Sequence, residues 1–533
     1  MRLKQTLVIV VLTILSMLAP AIVSYSTKAQ SATPIPAGAT IAGSTSKLTP
    51  EINALISQPK YKQAQWGLLV SDRKTGEVIY ELNSDKMLIP ASNVKLVTTA
   101  AALDTFGADY RFKTPIHRRG QVNSAGVLSG DLILVASGDL TMGGRDTADG
   151  HIAYTDFDHG DANALPLAIL TPQDPLQGLN KLAQQVAASG IKQIDGDVII
   201  DARLFPQTQY ADQVLSPILI NDNLIDLTVT PGKDGKSVTV TSRPETASFT
   251  VKSDVKVIAA KQPTNLQVAS PKKGEILVSG QIAADAKPQV RTYTVEDPPA
   301  YARTLLIEAL QRAGVTVSAP VVAENPVNKL LKEPYSQSNQ VALLTSLPFS
   351  ENIKLVNKVS QNLHANTLVM LMSAKKGTPG FDEGVAGELP FLQKAGVDAN
   401  GMTLNDGQGL VGFIAPRSLV QLLHYMATRP DFRSYFDSLP ILGVDGSLAT
   451  TVPANSPARG KVYAKTGTDV IGDALNQRAL TKTKALGGYM TAASGRELVF
   501  NFAVNNIPIE SVLDVLSIGN DLGTLAEIVY RAR

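Results

Sequence analysis

Residues 90–107 read PASNVKLVTTAAALDTFG. Apolar residues recur here at the spacing of one helical face, and Gly107 follows the last of them, which predicts an α-helix that ends before the glycine. Ser92 lies near the predicted start of this helix. Residues three positions apart share a helical face, so we expect the Lys95 amine one turn further on, close to the Ser92 hydroxyl. The segment therefore predicts a Ser-x-x-Lys pair at the start of a helix.

The chemistry of such a pair depends on the protonation state of the lysine. A serine hydroxyl is a poor nucleophile until a neighbouring base takes its proton. The Lys95 amine accepts that proton only in its neutral form, which requires burial or a second cation nearby to lower its pKa. Lys465, in the Lys-Thr-Gly sequence at 465–467, is a candidate for that second cation. It is equally a candidate for binding a substrate carboxylate, and the residue types alone leave both roles open.

Short motifs of this kind recur by chance, so their context has to select among them. Ser-x-x-Lys also begins at Ser71 and Lys-Thr-Gly also begins at Lys74. Both residues fall at the turn of a hairpin predicted over residues 65–83. Among the Ser-x-x-Lys serines, Ser92 alone opens a long helix with an apolar face, and Lys465 lies in a glycine-bounded strand that two further predicted strands follow. Context therefore favours Ser92 and Lys465.

A third short motif, Ser-x-Asn, occurs at Ser350 and at Ser360. Residues 355–374 carry apolar residues close to one helical face, which predicts a helix through Ser360, with Ser350 just before it. His364 follows one turn after Ser360. We expect it to pack or to face the solvent, because Ser–Lys chemistry needs no imidazole. The pattern alone does not choose between the two serines.

The first 47 residues differ from the rest of the chain. Arg2 and Lys4 precede an apolar stretch over residues 7–23, and small residues follow it, which is the layout of a secretory signal peptide. We predict a cleaved signal peptide over residues 1–29 and a flexible leader over residues 30–47. An uncleaved membrane anchor is the alternative. The expected mature protein is exported and has no stable membrane span.

Composition argues against several classes of function. The chain of 533 residues is 44% hydrophobic and 18% charged, as expected for a globular protein of several domains. Its net charge of +2 and its lack of a long basic run do not indicate a nucleic-acid partner. There is no cysteine, so covalent catalysis has to use a hydroxyl, an amine or a carboxylate. The histidines are scattered, so we predict no metal site.

The regions of the chain differ in their predicted secondary structure. Residues 112–336 contain short strands separated by Gly, Pro and Asp turns, which predicts an inserted β-rich region of one or two domains, with two favoured. Within it, residues 143–163 are rich in aspartate. Their spacing does not match a calcium loop, so we expect a solvated surface loop. Residues 48–111 and 337–533 predict an antiparallel sheet with helices packed on it, and the chain as a whole an α/β multidomain protein.

Six segments occur in the order LIPASNVKLVTTAAAL, LSGDLILVASGDLT, KVSQNL, NDGQGL, GVDGSL and YAKTGT. Together they resemble the class C low-molecular-mass penicillin-binding proteins, the D-alanyl-D-alanine carboxypeptidase/endopeptidases of the bacterial envelope. The resemblance covers essentially the whole predicted mature chain. It implies a serine β-lactamase-like penicillin-binding domain, here residues 48–111 and 337–533. In this family inserted domains, here residues 112–336, interrupt that domain between its first and second motifs.

The resemblance implies roles for the first two motifs. Ser92 would attack the carbonyl of a D-Ala-D-Ala bond, and Lys95 would accept its proton. Ser360 is favoured over Ser350 as the serine of the second motif and would pass a proton to the departing amine. Asn362 would hold the peptide amide of the substrate beside Lys95.

The resemblance also implies roles for the third motif, which includes Gly467. Lys465 would bind the terminal carboxylate of the substrate with help from Thr466 and Thr468. The backbone N–H groups of Ser92 and Thr468 would form the oxyanion hole. The implied substrates are peptidoglycan stem peptides, the implied inhibitors are β-lactam antibiotics, and the implied location is the periplasm or cell envelope. No cofactor is implied.

The chain departs from the family pattern at three positions. Gln361 replaces the usual aspartate in the second motif, whose outer residues are kept, so we expect the chemistry to survive. Asn366 stands where the family commonly has glutamate, which changes a supporting interaction. Gln408 replaces the usual serine in NDGQGL, which changes contacts near the substrate.

Two other functions are compatible with the same fold. A serine β-lactamase would share the motifs, but the chain has no convincing counterpart of the glutamate that activates water in class A enzymes. A catalytically silent wall-binding protein is the second alternative, and the intact motifs argue against it. The sequence does not separate carboxypeptidase from endopeptidase action, because both cleave after a D-Ala carbonyl.

Overall fold

The structure is a computed structural model that describes residues 48–164 and 167–531. The predicted signal peptide and leader, residues 1–47, lie outside the described residues, so their cleavage stays a prediction. Among the described residues, no helix is both long enough and apolar enough to cross a membrane.

The described residues form runs of strands and runs of helices. The helices are α1 (Leu48–Ile56), α2 (Val94–Phe106), α3 (Gln177–Ala188), α4 (Pro298–Arg312), α5 (Phe349–Lys358), α6 (Asn362–Lys375), α7 (Phe381–Ala386), α8 (Leu389–Lys394), α9 (Pro416–Ala427), α10 (Phe432–Asp437) and α11 (Asp514–Arg531). The strands are β1 (Gln65–Asp72), β2 (Val78–Leu82), β3 (Lys113–Val122), β4 (Val127–Val135), β5 (Gln193–Ile194), β6 (Val198–Asp201), β7 (Thr208–Tyr210), β8 (Gln213–Leu215), β9 (Leu224–Pro231), β10 (Val238–Arg243), β11 (Thr250–Ile258), β12 (Asn265–Lys272), β13 (Glu275–Ala283), β14 (Gln289–Thr294), β15 (Thr316–Val317), β16 (Gln340–Thr345), β17 (Met402–Leu404), β18 (Gly412–Ile414), β19 (Val462–Asp473), β20 (Arg478–Thr491) and β21 (Glu497–Ile509).

The two ends of the described chain combine in one five-stranded antiparallel sheet, in the order β19-β20-β21-β1-β2. Successive side chains of a strand point to opposite faces, and β1 shows the consequence. Leu68 and Val70 share a core with α1 and α11, whereas Leu69 shares a core with α2, α6 and α9. A sheet covered by helices on both faces confirms the predicted fold class.

The predictions for the region around the first motif are confirmed. The predicted hairpin is β1–β2, and the predicted helix is α2, which follows a 3₁₀ turn over Ala91–Asn93. Gly107 comes directly after α2 with a φ of 83°, a left-handed conformation that glycine adopts without steric cost.

The β-rich region, residues 112–336, contributes most of a second hydrophobic core. This core lies on a six-stranded sheet, β15-β5-β4-β3-β16 with β6 paired to β4, and includes α3 and α4. Two three-stranded sheets follow the orders β10-β9-β14 and β11-β13-β12. The strand patterns of the region are confirmed, but α3 and α4 were not predicted. The domain boundaries stay predictions.

The helix predicted through Ser360 is wrong in one respect. The structure has two helices, because α5 ends at Lys358 and α6 begins at Asn362. Ser360 lies in the break between them with a φ of 61°. A residue in the left-handed conformation interrupts an α-helix. The apolar spacing is the same on both sides of Ser360, so the sequence pattern does not reveal this break.

The expected solvated loop over residues 143–163 is wrong at Asp158. This carboxylate is buried and pairs with the Arg145 guanidinium at 2.6 Å. Spacing along the chain excluded a calcium loop, but it carried no information about a partner that folding brings to the aspartate.

Candidate active site

Local helical geometry holds the first motif. The 3₁₀ turn leads directly into α2, so Ser92 and Lys95 lie one turn apart. The distance between Lys95 Nζ and Ser92 Oγ is 2.7 Å. Lys95 is completely buried, whereas Ser92 is partly exposed. The hydroxyl is therefore accessible, and the amine beside it is shielded from water.

Two further oxygens contact the Lys95 amine. Asn362 Oδ1 lies at 2.6 Å and the main-chain oxygen of Gln408 at 3.2 Å. Burial lowers the pKa of Lys95 to about 7, although the carboxylates of Asp161 and Asp406 act in the opposite direction. A large share of Lys95 is then the neutral amine near neutral pH, which is the form that accepts a proton.

A residue of the β-rich region holds the second motif. One carboxylate oxygen of Asp222 accepts a hydrogen bond from Gln361 Nε2 at 2.8 Å, and the other lies 2.8 Å from His364 Nε2. These contacts hold the residues on both sides of Asn362 and keep the chain in the left-handed turn at Ser360. His364 is buried, so of its two predicted environments it has the packed one.

Buried charges in turn hold Asp222. Arg145 contacts Asp222 at 3.2 Å, and His159 lies 2.8 Å from Asp222 and 2.6 Å from Asp226. Burial opposes the charged form of His159, but Asp226 and Asp222 raise its pKa to about 10. Asp222 is therefore held by the cations Arg145 and His159 of the β-rich region, and it contacts Gln361 and His364 beside the second motif.

This cluster also contains the carboxylate and imidazole groups that a metal ion prefers. Asp158, His159 and Asp222 each place one ligand atom within 4.8 Å of the others. However, the Arg145 guanidinium donates to both carboxylates and lies 2.9 Å from His159 Nε2. Because a cation already lies among these groups, the cluster does not fit a metal ion.

The third motif lies on β19, an edge strand of the five-stranded sheet. Lys465 is completely buried, and its Nζ donates to the main-chain oxygen of Thr466 at 2.9 Å. Burial, and next to it the positive charge of Lys95, hold the pKa of Lys465 well below its usual range. A Cβ added to Gly467 would collide with the carbonyl oxygen of Pro90. The glycine therefore lets β19 pass directly beside the turn of the first motif.

Both threonines of the third motif have polar neighbours. Thr466 Oγ1 lies 2.8 Å from Ser447 Oγ, and Lys484 Nζ donates to Thr468 Oγ1 at 2.8 Å. Thr466, Ser447 and Lys484 line one cavity of about 270 Å³. Sequence reasoning missed Lys484, because it belongs to no motif and comes from the neighbouring strand.

Hydrogen bonds to buried side chains hold the loop that contains NDGQGL. The Asp406 carboxylate accepts hydrogen bonds from the backbone N–H groups of Gln408 at 2.9 Å and Val411 at 3.1 Å. Asn366 Oδ1 accepts the Gly407 N–H at 3.0 Å. The loop thereby keeps the Gln408 carbonyl against the buried amine of the first motif. Asn366, at which the chain departs from the family pattern, supports this loop.

A second cavity, of about 230 Å³, lies between the second motif and the β-rich region. Its lining includes Ser360, Asn362, Asp161 and Asp212. Asp161 itself is exposed, as expected for its segment. Sequence reasoning noted the aspartate-rich segment but had no signal to show which of its aspartates would reach the site.

Comparisons with known proteins identify the family of the chain. Residues 48–519 match the model of the D-Ala-D-Ala carboxypeptidase 3 (S13) family. The chain is 29% identical over 494 residues to a D-alanyl-D-alanine carboxypeptidase of Actinomadura sp. (strain R39), with 86% of this chain and 81% of the relative covered. It is 23% identical over 460 residues to the carboxypeptidase DacB of Haemophilus influenzae, with 82% and 85% covered.

Solved structures support the same fold. The crystal structure of penicillin-binding protein 4 from Haemophilus influenzae superposes with a TM-score of 0.66 at 21% identity, covering 90% of this chain and 99% of that one. A structure of the same protein complexed with a β-lactam superposes with a TM-score of 0.64, also at 21% identity and the same coverage. The resemblance inferred from the six segments is thus confirmed over most of the chain, which belongs to the D-Ala-D-Ala carboxypeptidase 3 (S13) family.

Proposed function

We propose that this chain is a serine D-Ala-D-Ala carboxypeptidase that removes the terminal D-Ala from peptidoglycan stem peptides. One observation carries the proposal: an accessible Ser92 Oγ lies 2.7 Å from the completely buried Lys95 amine. Burial supplies the lowered lysine pKa that a Ser–Lys nucleophile requires. Membership of the family supports the reaction class, and both relatives named above are described as D-alanyl-D-alanine carboxypeptidases.

In the acylation step, neutral Lys95 takes the proton of Ser92, and Ser92 Oγ attacks the carbonyl carbon of the penultimate D-Ala. The backbone N–H groups of Ser92 and Thr468 hold the resulting oxyanion, and each such donor typically contributes about 3–4 kcal/mol. The C–N bond then breaks. The departing amine of the terminal D-Ala receives a proton through Ser360, and an ester remains on Ser92.

In the deacylation step, a water molecule attacks the ester carbonyl. The bond to Ser92 Oγ breaks, the hydroxyl of Ser92 regains its proton, and the shortened peptide leaves with a new carboxylate. A serine β-lactamase differs in the speed of this step, so the lifetime of a penicillin ester on Ser92 separates the two activities.

Substrate binding uses the remaining polar groups of the motifs. Asn362 contacts Lys95 through Oδ1, which leaves its amide N–H groups for a peptide carbonyl of the substrate. The terminal carboxylate lies beside Lys465, with the hydroxyls of Thr466 and Thr468. An anion in this position favours the charged form of Lys465 and so opposes the effect of burial on its pKa.

The proposal extends to related bonds and to location. Cross-linked stem peptides present the same D-Ala carbonyl, so DD-endopeptidase action would use the same residues. Penicillins would acylate Ser92 as inhibitors.

The enzyme would act in the periplasm or cell envelope after loss of the signal peptide over residues 1–29. We also propose that residues 48–111 and 337–533 form the peptidase domain, with residues 112–336 as the insertion.

Labelling with a fluorescent penicillin tests the proposal. We expect covalent labelling of the wild type, release of D-Ala from muropeptide monomers, and loss of both in Ser92→Ala with an unchanged circular dichroism spectrum. Ser71→Ala is the matched control, because Ser71 also begins Ser-x-x-Lys but bonds to His424 at 2.8 Å. Labelling that persists in Ser92→Ala would refute the assignment. Cross-linked dimers digested in parallel measure the endopeptidase activity.

A further inference from the structure

Lys484 lies beside the third motif without belonging to it. It is on β20, directly opposite Thr468 of β19 in an antiparallel pair. Side chains of directly opposed residues lie on the same face of a sheet and are close enough to interact. The contact is direct, because Lys484 Nζ donates to Thr468 Oγ1 at 2.8 Å.

The ammonium group of Lys484 has no anionic partner among residues 48–164 and 167–531, and burial alone lowers its pKa to about 8. The side chain is confined by α11, since a Cβ added to Gly519 would lie 3.1 Å from Lys484 Cε. Lys482, two residues earlier on the same strand, does form an ion pair, with Asp469. A partly buried ammonium without a counter-ion is costly, so its position favours a transient anion.

A second positive group lies nearby. Lys465 lies three residues before Thr468 on β19, and the positive charge of Lys484 is one of the causes that hold its pKa below the usual range. Like charges at short range repel unless an anion lies near both. An anion at this end of β19 would therefore stabilise both lysines at once.

The hydroxyl groups around Lys484 can donate to such an anion. An ammonium has only donors, so Thr468 Oγ1 accepts from Lys484 and keeps its own hydrogen for another acceptor. Thr466 and Ser447 line the same cavity as Lys484. A cation with converging hydroxyl donors is the chemistry that recognises a carboxylate.

We propose that Lys484 is a substrate-binding residue that, with the Thr468 hydroxyl, binds the free α-carboxylate on the leaving side of the scissile bond. Its ammonium group acts beside the threonine hydroxyls of the third motif. The enzyme thereby selects substrates with a free C-terminal carboxylate. The inference rests on the proposed carboxypeptidase function and adds a determinant of its specificity.

The experiment compares two synthetic substrates, diacetyl-L-lysyl-D-alanyl-D-alanine and its C-terminal carboxamide. The wild type is expected to prefer the acid. In Lys484→Met and Lys484→Gln, we expect kcat/KM for the acid to fall about tenfold, chiefly through KM, with little change for the carboxamide. Lys484→Arg keeps the charge and should retain most of the preference. Lys482→Met is the matched control and should behave as the wild type.

The outcomes separate the two proposals. A wild type that cleaves neither peptide and takes no penicillin label refutes the carboxypeptidase function itself. An active wild type whose acid-to-carboxamide ratio is unchanged in both Lys484→Met and Lys484→Gln refutes the role of Lys484. Equal losses for both substrates, with no rescue by arginine, refute it as well, because they indicate a structural effect.

Discussion

The first and second motifs both lie at the start of a helix, yet they are held by different kinds of contact. Ser92 and Lys95 meet through the geometry of one helical turn. The second motif depends on Asp222, which precedes Gln361 by 139 positions and belongs to the β-rich region. The β-rich region is therefore part of the active-site scaffold. We call Asp222, with Arg145 and His159 that hold it, the clamp of the second motif.

The largest expected effect comes from the motif that is held locally. Arginine stays charged and cannot accept a proton, so Lys95→Arg should lower the rate of penicillin acylation by about a thousandfold. Circular dichroism and denaturation by guanidinium should show that the variant is still folded, with a lower free energy of unfolding because the buried arginine stays charged. Lys394→Arg is the control, since Lys394 at the end of α8 pairs at 2.7 Å with Asp104 of α2, the helix that carries Lys95. Acylation at the wild-type rate in Lys95→Arg would rule out the proton-acceptor role.

Breaking the clamp of the second motif should affect stability and activity together. Asp222→Asn leaves buried cations without a partner, so we expect the free energy of unfolding to fall by about 3 kcal/mol. Acylation should slow by about a hundredfold, because the second motif loses its position. Denaturation curves and labelling rates measure the two effects.

The control for the clamp is Asp234→Asn, at an exposed turn of the same β-rich region. If Asp222→Asn loses stability but acylates at the wild-type rate, the β-rich region does not position the second motif. The contrast between the two motifs would then not hold.

A smaller effect is expected at Lys465. Its proposed role is to present a positive charge to the substrate carboxylate, and Lys465→Arg keeps that charge in a bulkier side chain. We expect about a tenfold loss of acylation, with a higher KM for the peptide substrate. The acylation rate of this variant beside that of Lys95→Arg provides the measurement. Equal, near-complete losses in both variants would show that the two lysines do not differ in this way.

Over one pH unit, the pH dependence gives an effect no larger than that of Lys465→Arg. Burial lowers the pKa of Lys95 to about 7, so acylation should rise by up to about tenfold per unit below pH 7, as the neutral base accumulates. His159, whose pKa is raised to about 10, keeps its charge throughout this range. The clamp should therefore add no second inflection. Acylation rates from about pH 5 to about pH 9 provide the test, and a rate that rises with acidity would contradict it.

The sequence alone was informative wherever the relevant interactions are short in range. The helix at 90–107, the hairpin before it and the three final strands follow from periodicity and turn residues, and all are confirmed. The break at Ser360 was missed, because the apolar spacing continues on both sides of it. Asp158 was misjudged for a different reason, since its partner Arg145 reaches it only in the folded chain.

For the candidate site, the sequence determined which residue types lie three positions apart and which strand carries Lys-Thr-Gly. Only the tertiary structure decided the environment of those residues: the burial that lowers the pKa of Lys95, the clamp from Asp222 and the approach of Lys484 to Thr468. The physical reason is distance along the chain. Helical and strand periodicity act between near neighbours, whereas burial and ion pairing depend on segments that only folding brings together.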